Sequence, residues 1–261
     1  SLFVVGAPRC GTTSLSKTLR RHPEICVSNP KETFYFVRDG APMEVEQRAS
    51  EFVRRYYPHL EPGHRLIVEA TPVYLYVPEA VERIIEIDPD AKLVVMVRNP
   101  VDLVQSHHGR MLYTMDEDEK DFATAWRLRE ARSRGDSLPK RCRHPRVVDY
   151  GFVGSLGARV EELFARVGRE RCHVIVYDDL RDRGSETLRE LLRFAGVDPD
   201  VELKLKRVRA NSAYRHEWLQ PYVTNPPKPI MKLLEIWERK GKGRTGYLRP
   251  LRKRFKKWNT K

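Results

Sequence analysis

The chain has 261 residues, of which 40% are hydrophobic, and its 49 basic and 36 acidic side chains give a formal net charge of +13. This hydrophobic content is enough for a folded core and excludes a natively disordered chain, and no stretch reaches the roughly 18 consecutive apolar residues of a membrane span. Eleven basic residues and no acidic residue lie within residues 239–261, so the charge predicts one basic patch on an otherwise nearly neutral body.

Short apolar runs, each typical of a buried β-strand, alternate with helical patterns along the chain. The predicted strands are Leu2–Val5, Ile25–Ser28, Leu66–Glu69, Leu93–Val97 and His173–Val176. The predicted helices are Ser14–Arg21, Glu44–Tyr57, Pro78–Ile87, Val101–Tyr113, Phe122–Arg132, Phe152–Val167 and Glu186–Ala195. This alternation predicts an α/β, three-layer fold whose central, mostly parallel sheet is flanked by helices.

We expect one domain over residues 1–261, with a core over 1–223 and a helical basic extension over 224–261. The break between them is the sequence TNPPKP at Thr224–Pro229. Near the C-terminal end, Leu251, Phe255 and Trp258 recur at helical spacing among basic residues, which is the pattern of a basic amphipathic helix. Packing of this helix onto the domain is the expected arrangement, and contact of 239–261 with an anionic surface is the alternative.

The first chemical motif follows the first predicted strand. Gly6 and Gly11 have the spacing of a nucleotide-binding P-loop, G-x-x-x-x-G-K-[ST], but Thr12 stands in the place of its lysine. The cation lies earlier, at Arg9. Backbone amides at a helix start, the hydroxyls of Thr12–Ser14 and a guanidinium can all donate to an oxyanion, so the motif predicts a P-loop-like anion cradle. An ordinary strand–turn–helix with a capping threonine is the alternative.

Three motifs together resemble those of sulfotransferases that use 3′-phosphoadenosine-5′-phosphosulfate (PAPS), especially the heparan-sulfate-type and related bacterial members. The sequence GAPRCGTTSL at Gly6–Leu15 resembles the loop that binds the 5′-phosphosulfate. The sequence PKETFYF at Pro30–Phe36 resembles the segment with the catalytic glutamate, and LVVMVRNPVDLVQSHH at Leu93–His108 resembles the 3′-phosphate site. The similarity in pattern runs from about Leu2 to Val197.

This resemblance implies transfer of a sulfonate group from PAPS to an acceptor hydroxyl on a sugar, a lipid or a small-molecule alcohol, leaving 3′,5′-adenosine bisphosphate. It implies Glu32 as the general base, with Arg9 and Lys31 as further catalytic residues. A surface ion pair between Glu32 and Lys31 is the alternative. The cofactor-binding residues that it implies are Arg9, Cys10, Gly11, Thr12, Thr13, Ser14, Arg98 and Ser106. Arg209 lies in a basic run near Asn211 and is expected to bind the 3′-phosphate of the cofactor, with an acidic acceptor or a solvated face as the alternatives. No metal is implied, and the His and Cys residues show no metal-ligand spacing.

The sequence departs from the family pattern after the third predicted strand. In VEATPVYL, Ala70 stands where the family segment often has lysine, so the role of that lysine falls to Arg9, to Lys31 or to neither. Two pairs of residues in or next to these segments also have two interpretations each. His107 and His108 are either bystanders or alternative bases, and Tyr74 and Tyr76 either line an acceptor pocket or belong to the core.

Two other classes of function are alternatives to a sulfotransferase. A P-loop-like small-molecule kinase would need the lysine that Thr12 replaces, and a nucleic-acid or anionic-surface binder would use residues 239–261; no specific nucleic-acid partner is expected. Cys10 is expected to fill space, although a helix start and Arg9 favour a reactive thiolate. The four cysteines show no pairing pattern, so a cytoplasmic chain is expected, with an anchor before residue 1 left open.

Overall fold

The computed structural model describes residues 1–37 and 44–205. The predictions for Arg209, for the break at Thr224–Pro229 and for the basic residues 239–261 lie outside these described residues.

The centre of the structure is a five-stranded sheet. Its strands are β1 (Leu2–Gly6), β2 (Ile25–Val27), β3 (Leu66–Glu69), β4 (Lys92–Val97) and β5 (Cys172–Val176). They lie in the order β2-β3-β1-β4-β5, and every neighbouring pair is parallel. Strand β1 is central and fully buried, and its Phe3 lies opposite Glu69 of β3 and Leu93 of β4. The predicted α/β fold with a parallel sheet is confirmed.

Helices connect and flank the strands. In chain order they are α1 (Thr12–Leu19), α2 (Val45–Tyr56), α3 (Pro78–Ile87), α4 (Pro100–Thr114), α5 (Phe122–Arg127), α6 (Arg129–Ser133), α7 (Tyr150–Gly154), α8 (Leu156–Val167), α9 (Tyr177–Asp182) and α10 (Gly184–Ala195). Short 3₁₀ turns occupy Tyr35–Val37, Pro72–Tyr76, Pro145–Val147 and Arg169–Arg171. Because parallel strands need crossover connections, these helices follow directly from the strand order.

Two predicted helices are each broken into two. The pattern at Phe122–Arg132 forms α5 and α6 with Leu128 between them. The pattern at Phe152–Val167 forms α7 and α8, which are separated by Ser155 at ψ 55°, outside the helical region. Glycine has low helix propensity, and α7 contains two glycines in five residues, which explains the second break. Helix α9 was not predicted, because six residues directly after a strand carry little periodicity.

The chain divides into two compact units, and the division falls within α4 and α7. The first comprises Ser1–Leu103 and Gly154–Val208 and contains the whole sheet and the main hydrophobic core. This core is built from the buried faces of the sheet and its flanking helices, with β1 at its centre. The described part of the second unit is Val104–Val153.

The second unit has its own small core of Val104, Ala125 and Tyr150. A buried ion pair supports it: the guanidinium of Arg132 donates to both carboxylate oxygens of Glu117, at 2.6 and 2.9 Å. The Tyr150 hydroxyl donates to the same carboxylate at 2.7 Å. A buried charge is tolerated only when it is paired and hydrogen-bonded, and this carboxylate satisfies both conditions.

Candidate active site

The candidate site lies at the carboxyl edge of the sheet, within the first unit. Because all five strands are parallel, the segments that follow them emerge at this one edge. These segments carry Arg9 after β1, Glu32 after β2, Thr71 after β3 and Arg98 after β4. The expectation that polar groups gather here therefore follows from the topology.

The anion loop between β1 and α1 is shaped by glycine. Gly11 is the N-cap of α1 at φ 92°, a left-handed conformation, and a Cβ atom there would lie 3.2 Å from the ring of Tyr177. A Cβ atom at Gly6 would lie 2.6 Å from Leu75. No side chain within the described residues caps α1, which argues against the alternative of a capping threonine. The positive end of the helix therefore faces the loop without a side-chain acceptor.

The side chains of the anion loop differ in exposure. Arg9 is half-buried and also left-handed, at φ 68°, while Thr12 is buried and Thr13 is exposed in the first turn of α1. Ser14 is half-buried, and its amide donates to the Gly11 carbonyl at 2.9 Å. The loop thus holds hydroxyls and a guanidinium close to one helix N-terminus.

Cys10 lies inside the loop and is fully buried. Burial raises the pKa of its thiol to about 12, and this effect outweighs the positive charges of Arg98 and Arg9, which lower it. The Sγ atom is 3.7 Å from the Pro8 carbonyl. The thiol is therefore a space-filling group and not a reactive thiolate.

Lys31 joins the anion loop to the predicted base. Its Nζ donates to Thr12 Oγ1 at 3.3 Å and to Glu32 Oε1 at 2.9 Å. The Lys31 side chain is 18% exposed and that of Glu32 is 38% exposed, so the cation is sheltered while the carboxylate is reachable from solvent. The ion pair between Glu32 and Lys31, which was the alternative to a catalytic role, is present, and Lys31 also contacts the anion loop through Thr12.

The guanidinium of Arg98 lies over an aromatic ring that sequence reasoning missed. Its guanidinium carbon lies 5.0 Å from the ring centroid of Tyr177, the first residue of α9. One of its terminal nitrogens donates to Asp102 at 3.2 Å. Its Nε is buried and has no hydrogen-bond partner among residues 1–37 and 44–205. Because a Cβ atom at Gly11 would lie 3.2 Å from the same ring, Tyr177 lies close to both predicted anion-binding segments.

The sequence of the chain matches that of known sulfotransferases. The profile of the sulfotransferase domain family matches residues 1–225. The chain belongs to this family. A solved sulfotransferase from Alicyclobacillus acidocaldarius is 27% identical, with a TM-score of 0.64 over 80% of this chain and 85% of that one.

Two curated relatives match shorter parts of this sulfotransferase domain. The membrane-associated sulfotransferase kil1 of Dictyostelium discoideum is 35% identical over 102 residues, which are 39% of this chain and 21% of that protein. The human heparan sulfate glucosamine 3-O-sulfotransferase 6 is 33% identical over 110 residues, which are 42% of this chain and 30% of that protein. The match thus spans less than a third of the length of either relative.

A buried carboxylate of the sulfotransferase domain, Glu69, was not singled out from the sequence. It ends β3, has no exposed surface and accepts hydrogen bonds from the amides and hydroxyls of both Thr33 and Thr71. Burial raises its pKa to about 7, although these hydrogen bonds lower it. The available signal was a glutamate at the end of an otherwise apolar buried strand.

Other predicted residues lie in the second unit. Ser106 is half-buried on α4, eight residues after Arg98 in the sequence. His107 and His108 are buried there, and each donates from Nε2 to a backbone carbonyl at 2.8 Å, of Val147 and Glu119 respectively. These contacts favour the interpretation of the two histidines as bystanders.

Tyr74 belongs to the core of the first unit, where it is fully buried. Its hydroxyl lies 3.3 Å from Thr33 Oγ1, and burial raises its pKa above the ordinary value. This favours the core interpretation for Tyr74, and Tyr76 is half-buried against the same core.

In the part of the chain that the structure describes, no group of three or more His, Cys, Asp or Glu residues is arranged to hold a metal ion. Among the same residues, no helix combines the length and apolarity needed to cross a bilayer.

Proposed function

We propose that this sulfotransferase moves a sulfonate group from PAPS to an acceptor hydroxyl, with Glu32 as the general base. The observation that carries the proposal is the position of Lys31. Its ammonium contacts both Thr12 of the anion loop and the carboxylate of Glu32, so that a base, a cation and an anion cradle lie side by side. This combination is what in-line transfer from an anionic donor to a hydroxyl requires.

The residues of the anion loop fit a phosphosulfate group. Uncapped amides at the start of α1, the hydroxyls of Thr12, Thr13 and Ser14, and the guanidinium of Arg9 would bind its oxygens. Cys10 and Gly11 would take part through their backbone, because the Cys10 thiol is buried and Gly11 has no side chain.

For the 3′-phosphate we propose Arg98, Ser106 and Arg209. The buried Nε of Arg98, which lacks a hydrogen-bond partner among the described residues, supports this assignment because guanidinium groups bind phosphates through several N–H donors. The assignment of Ser106 rests on the resemblance of the sequence, and that of Arg209 rests on its place in a basic run of the sequence. No metal ion is needed in this scheme.

The bound donor supplies an electrophilic sulfur and a good leaving group. Glu32 takes the proton of the acceptor hydroxyl as that oxygen bonds to sulfur, while the bond from sulfur to the bridging phosphate oxygen breaks. Lys31 and Arg9 stabilise the charge that develops on the bridging oxygen, which remains with 3′,5′-adenosine bisphosphate. The chain has Ala70 where the family pattern often has lysine, and Lys31, which contacts Thr12 of the anion loop, is one of the two cations that we propose for this task.

The donor is tested by isothermal titration calorimetry with 3′,5′-adenosine bisphosphate and, separately, with ATP and Mg²⁺. We expect tight, metal-independent binding of the bisphosphate and weak or no binding of ATP–Mg²⁺. Tight ATP–Mg²⁺ binding without bisphosphate binding would identify a kinase-like nucleotide site and overturn the proposal.

The acceptor is proposed only as a class, a hydroxyl on a sugar, a lipid or a small-molecule alcohol. One relative acts on heparan sulfate glucosamine by its name, which favours testing glycans first. Transfer of ³⁵S from labelled PAPS to heparosan oligosaccharides, octyl glucoside, a long-chain alcohol and p-nitrophenol would separate these classes. A chain that binds the bisphosphate and sulfates only p-nitrophenol would exclude the glycan class.

A further inference from the structure

We propose that Glu69 is a positioning residue that holds the segment Lys31–Phe34, and through it Glu32 and Lys31, in the geometry needed for transfer. The inference rests on the proposed function and concerns a residue that does not contact the reacting groups. Glu69 is fully buried at the end of β3, and no step of the transfer uses it.

The carboxylate of Glu69 is surrounded by four donors. Thr33 donates to Oε1 from its amide at 3.0 Å and from its hydroxyl at 3.1 Å. Thr71 donates to Oε2 from its amide at 3.0 Å and to Oε1 from its hydroxyl. A single side chain on β3 thus binds both threonines, one of which lies in the segment that follows β2.

The same network fixes the peptide groups on both sides of Glu32. On one side, the Lys31 carbonyl accepts from Ser28 Oγ at 3.1 Å and from the Ala70 amide at 3.4 Å. On the other side, the Thr33 amide is held by Glu69 and by Thr71 Oγ1, each at 3.0 Å. With both flanking peptide groups anchored, the Glu32 backbone has little freedom, and its side chain is directed from a fixed point.

Phe34, the residue after Thr33, has a backbone conformation that is intrinsically unfavourable for its residue type. Phe34 has φ 53°, a left-handed conformation that is unfavourable for a bulky residue, and its amide lies 3.4 Å from Thr71 Oγ1. Backbone of this kind persists only where surrounding contacts enforce it. The network around Glu69 supplies such contacts.

The four donors of the network match the acceptors of a carboxylate. An ionised glutamate only accepts hydrogen bonds, whereas glutamine would turn an NH₂ group toward the Thr71 amide at Oε2 or toward the three donors at Oε1. Burial opposes the ionised form and raises the Glu69 pKa to about 7, so the four donors compensate its charge only in part. A residue that only filled space at this position would not need an ionisable side chain, since burying a charge is costly.

Hydrogen exchange measured by mass spectrometry tests the positioning directly and needs no acceptor. We expect Glu69→Gln to increase amide exchange in peptides covering residues 30–37 by about tenfold, because the glutamine side chain cannot accept from all four donors and the contacts that hold the Thr33 amide weaken. Peptides covering residues 2–19 should exchange as in the wild type. Glu117→Gln, which removes an equally buried carboxylate in the second unit, is the matched control and should leave residues 30–37 unchanged. Unchanged exchange at 30–37 in Glu69→Gln would overturn the inference.

A double-mutant cycle with turnover separates positioning from general destabilisation. The assay uses labelled PAPS and whichever acceptor of the panel above is sulfated. Glu69→Gln should lower kcat by about tenfold with unchanged affinity for 3′,5′-adenosine bisphosphate, and it should have no further effect in the Glu32→Gln background. Equal effects in both backgrounds would mean that Glu69 does not act through Glu32.

Thr71→Val covers the case in which Glu69→Gln does not fold. It is nearly isosteric, keeps the carboxylate and removes one acceptor of the Thr33 amide, so exchange at residues 30–37 should again rise. Two other results would contradict the proposed function itself. One is that the protein does not bind the bisphosphate, and the other is that Glu32→Gln keeps full turnover. The positioning role alone would be overturned by a different set of results. In that case bisphosphate binding is normal, Glu32→Gln has reduced turnover and Thr71→Val leaves amide exchange at residues 30–37 unchanged.

Discussion

Lys31 and Thr12 are nineteen positions apart in the sequence, and a hydrogen bond of 3.3 Å joins the ammonium of the first to the hydroxyl of the second. Thr12 stands where a P-loop has its lysine, so a cation from the segment after β2 contacts the residue that replaces that lysine. The same ammonium contacts Glu32 at 2.9 Å. The charge balance of the site therefore depends on two segments that meet only in the folded chain.

Glu32→Gln should keep the affinity for 3′,5′-adenosine bisphosphate and lower turnover by roughly 10²–10⁴-fold, because the amide cannot take the acceptor proton. Steady-state kinetics with PAPS and titration with the bisphosphate measure the two quantities. Glu130→Gln is a matched control, since Glu130 also pairs with the preceding basic residue, Arg129, at 3.2 Å. Near-normal turnover in Glu32→Gln would remove it from the role of base.

Lys31→Met should lower turnover by about 10²-fold, because a preorganised cation beside the leaving group would be lost. Its effect on bisphosphate affinity should be smaller, since the anion loop keeps its amides and Arg9. Lys17→Met, which changes an exposed lysine on α1, serves as the control and should behave like the wild type. Full turnover in Lys31→Met would mean that Lys31 does not stabilise the charge that develops on the leaving group.

Tyr177→Leu should weaken bisphosphate binding by about three- to thirtyfold, because the ring under the Arg98 guanidinium would be lost. Tyr177→Phe keeps the ring and should retain most of the affinity. Arg98→Lys should bind the bisphosphate less well than the wild type, since an ammonium lacks the planar fork of donors. If calorimetry found Tyr177→Leu and Arg98→Lys unaltered, the 3′-phosphate would lie elsewhere.

The stability of the protein should depend on pH through Glu69. Its pKa is raised to about 7 in the folded state from an ordinary 4.5, so the folded state holds a proton more tightly than the unfolded state does. Stability from this group is therefore greatest below pH 4.5 and decreases as the pH rises to about 7. Tyr57 and Tyr74, whose charges would interact with Glu69, stay neutral in this range because burial raises their pKa.

Urea unfolding at pH 5 and pH 7.5 tests this dependence. The free energy of unfolding of Glu69→Gln, relative to that of the wild type, should increase between the two pH values, because the glutamine does not titrate. A constant difference would mean that Glu69 does not change its protonation in the folded protein over this range.

The order of elements was predictable from local sequence. Leu93–Val97 reads as continuously apolar, as a strand buried on both faces must, and it became β4. The anion loop could also be predicted from the sequence, since its glycines and hydroxyl-bearing residues lie within one short segment of the chain. The breaks at Leu128 and Ser155 and the short α9 were not predicted, because they depend on local backbone geometry that periodicity does not encode.

The sequence by itself determined the order of strands and helices and predicted an anion loop, since glycine spacing and side-chain chemistry are local properties. Only the tertiary structure decided that Lys31 contacts Thr12, that Tyr177 supports Arg98 and that Glu69 holds Thr33. The physical reason is the parallel sheet, which brings the carboxyl ends of distant strands to one edge. Burial in the tertiary structure also raises the pKa of the Cys10 thiol and of the Glu69 carboxyl, which the sequence did not reveal.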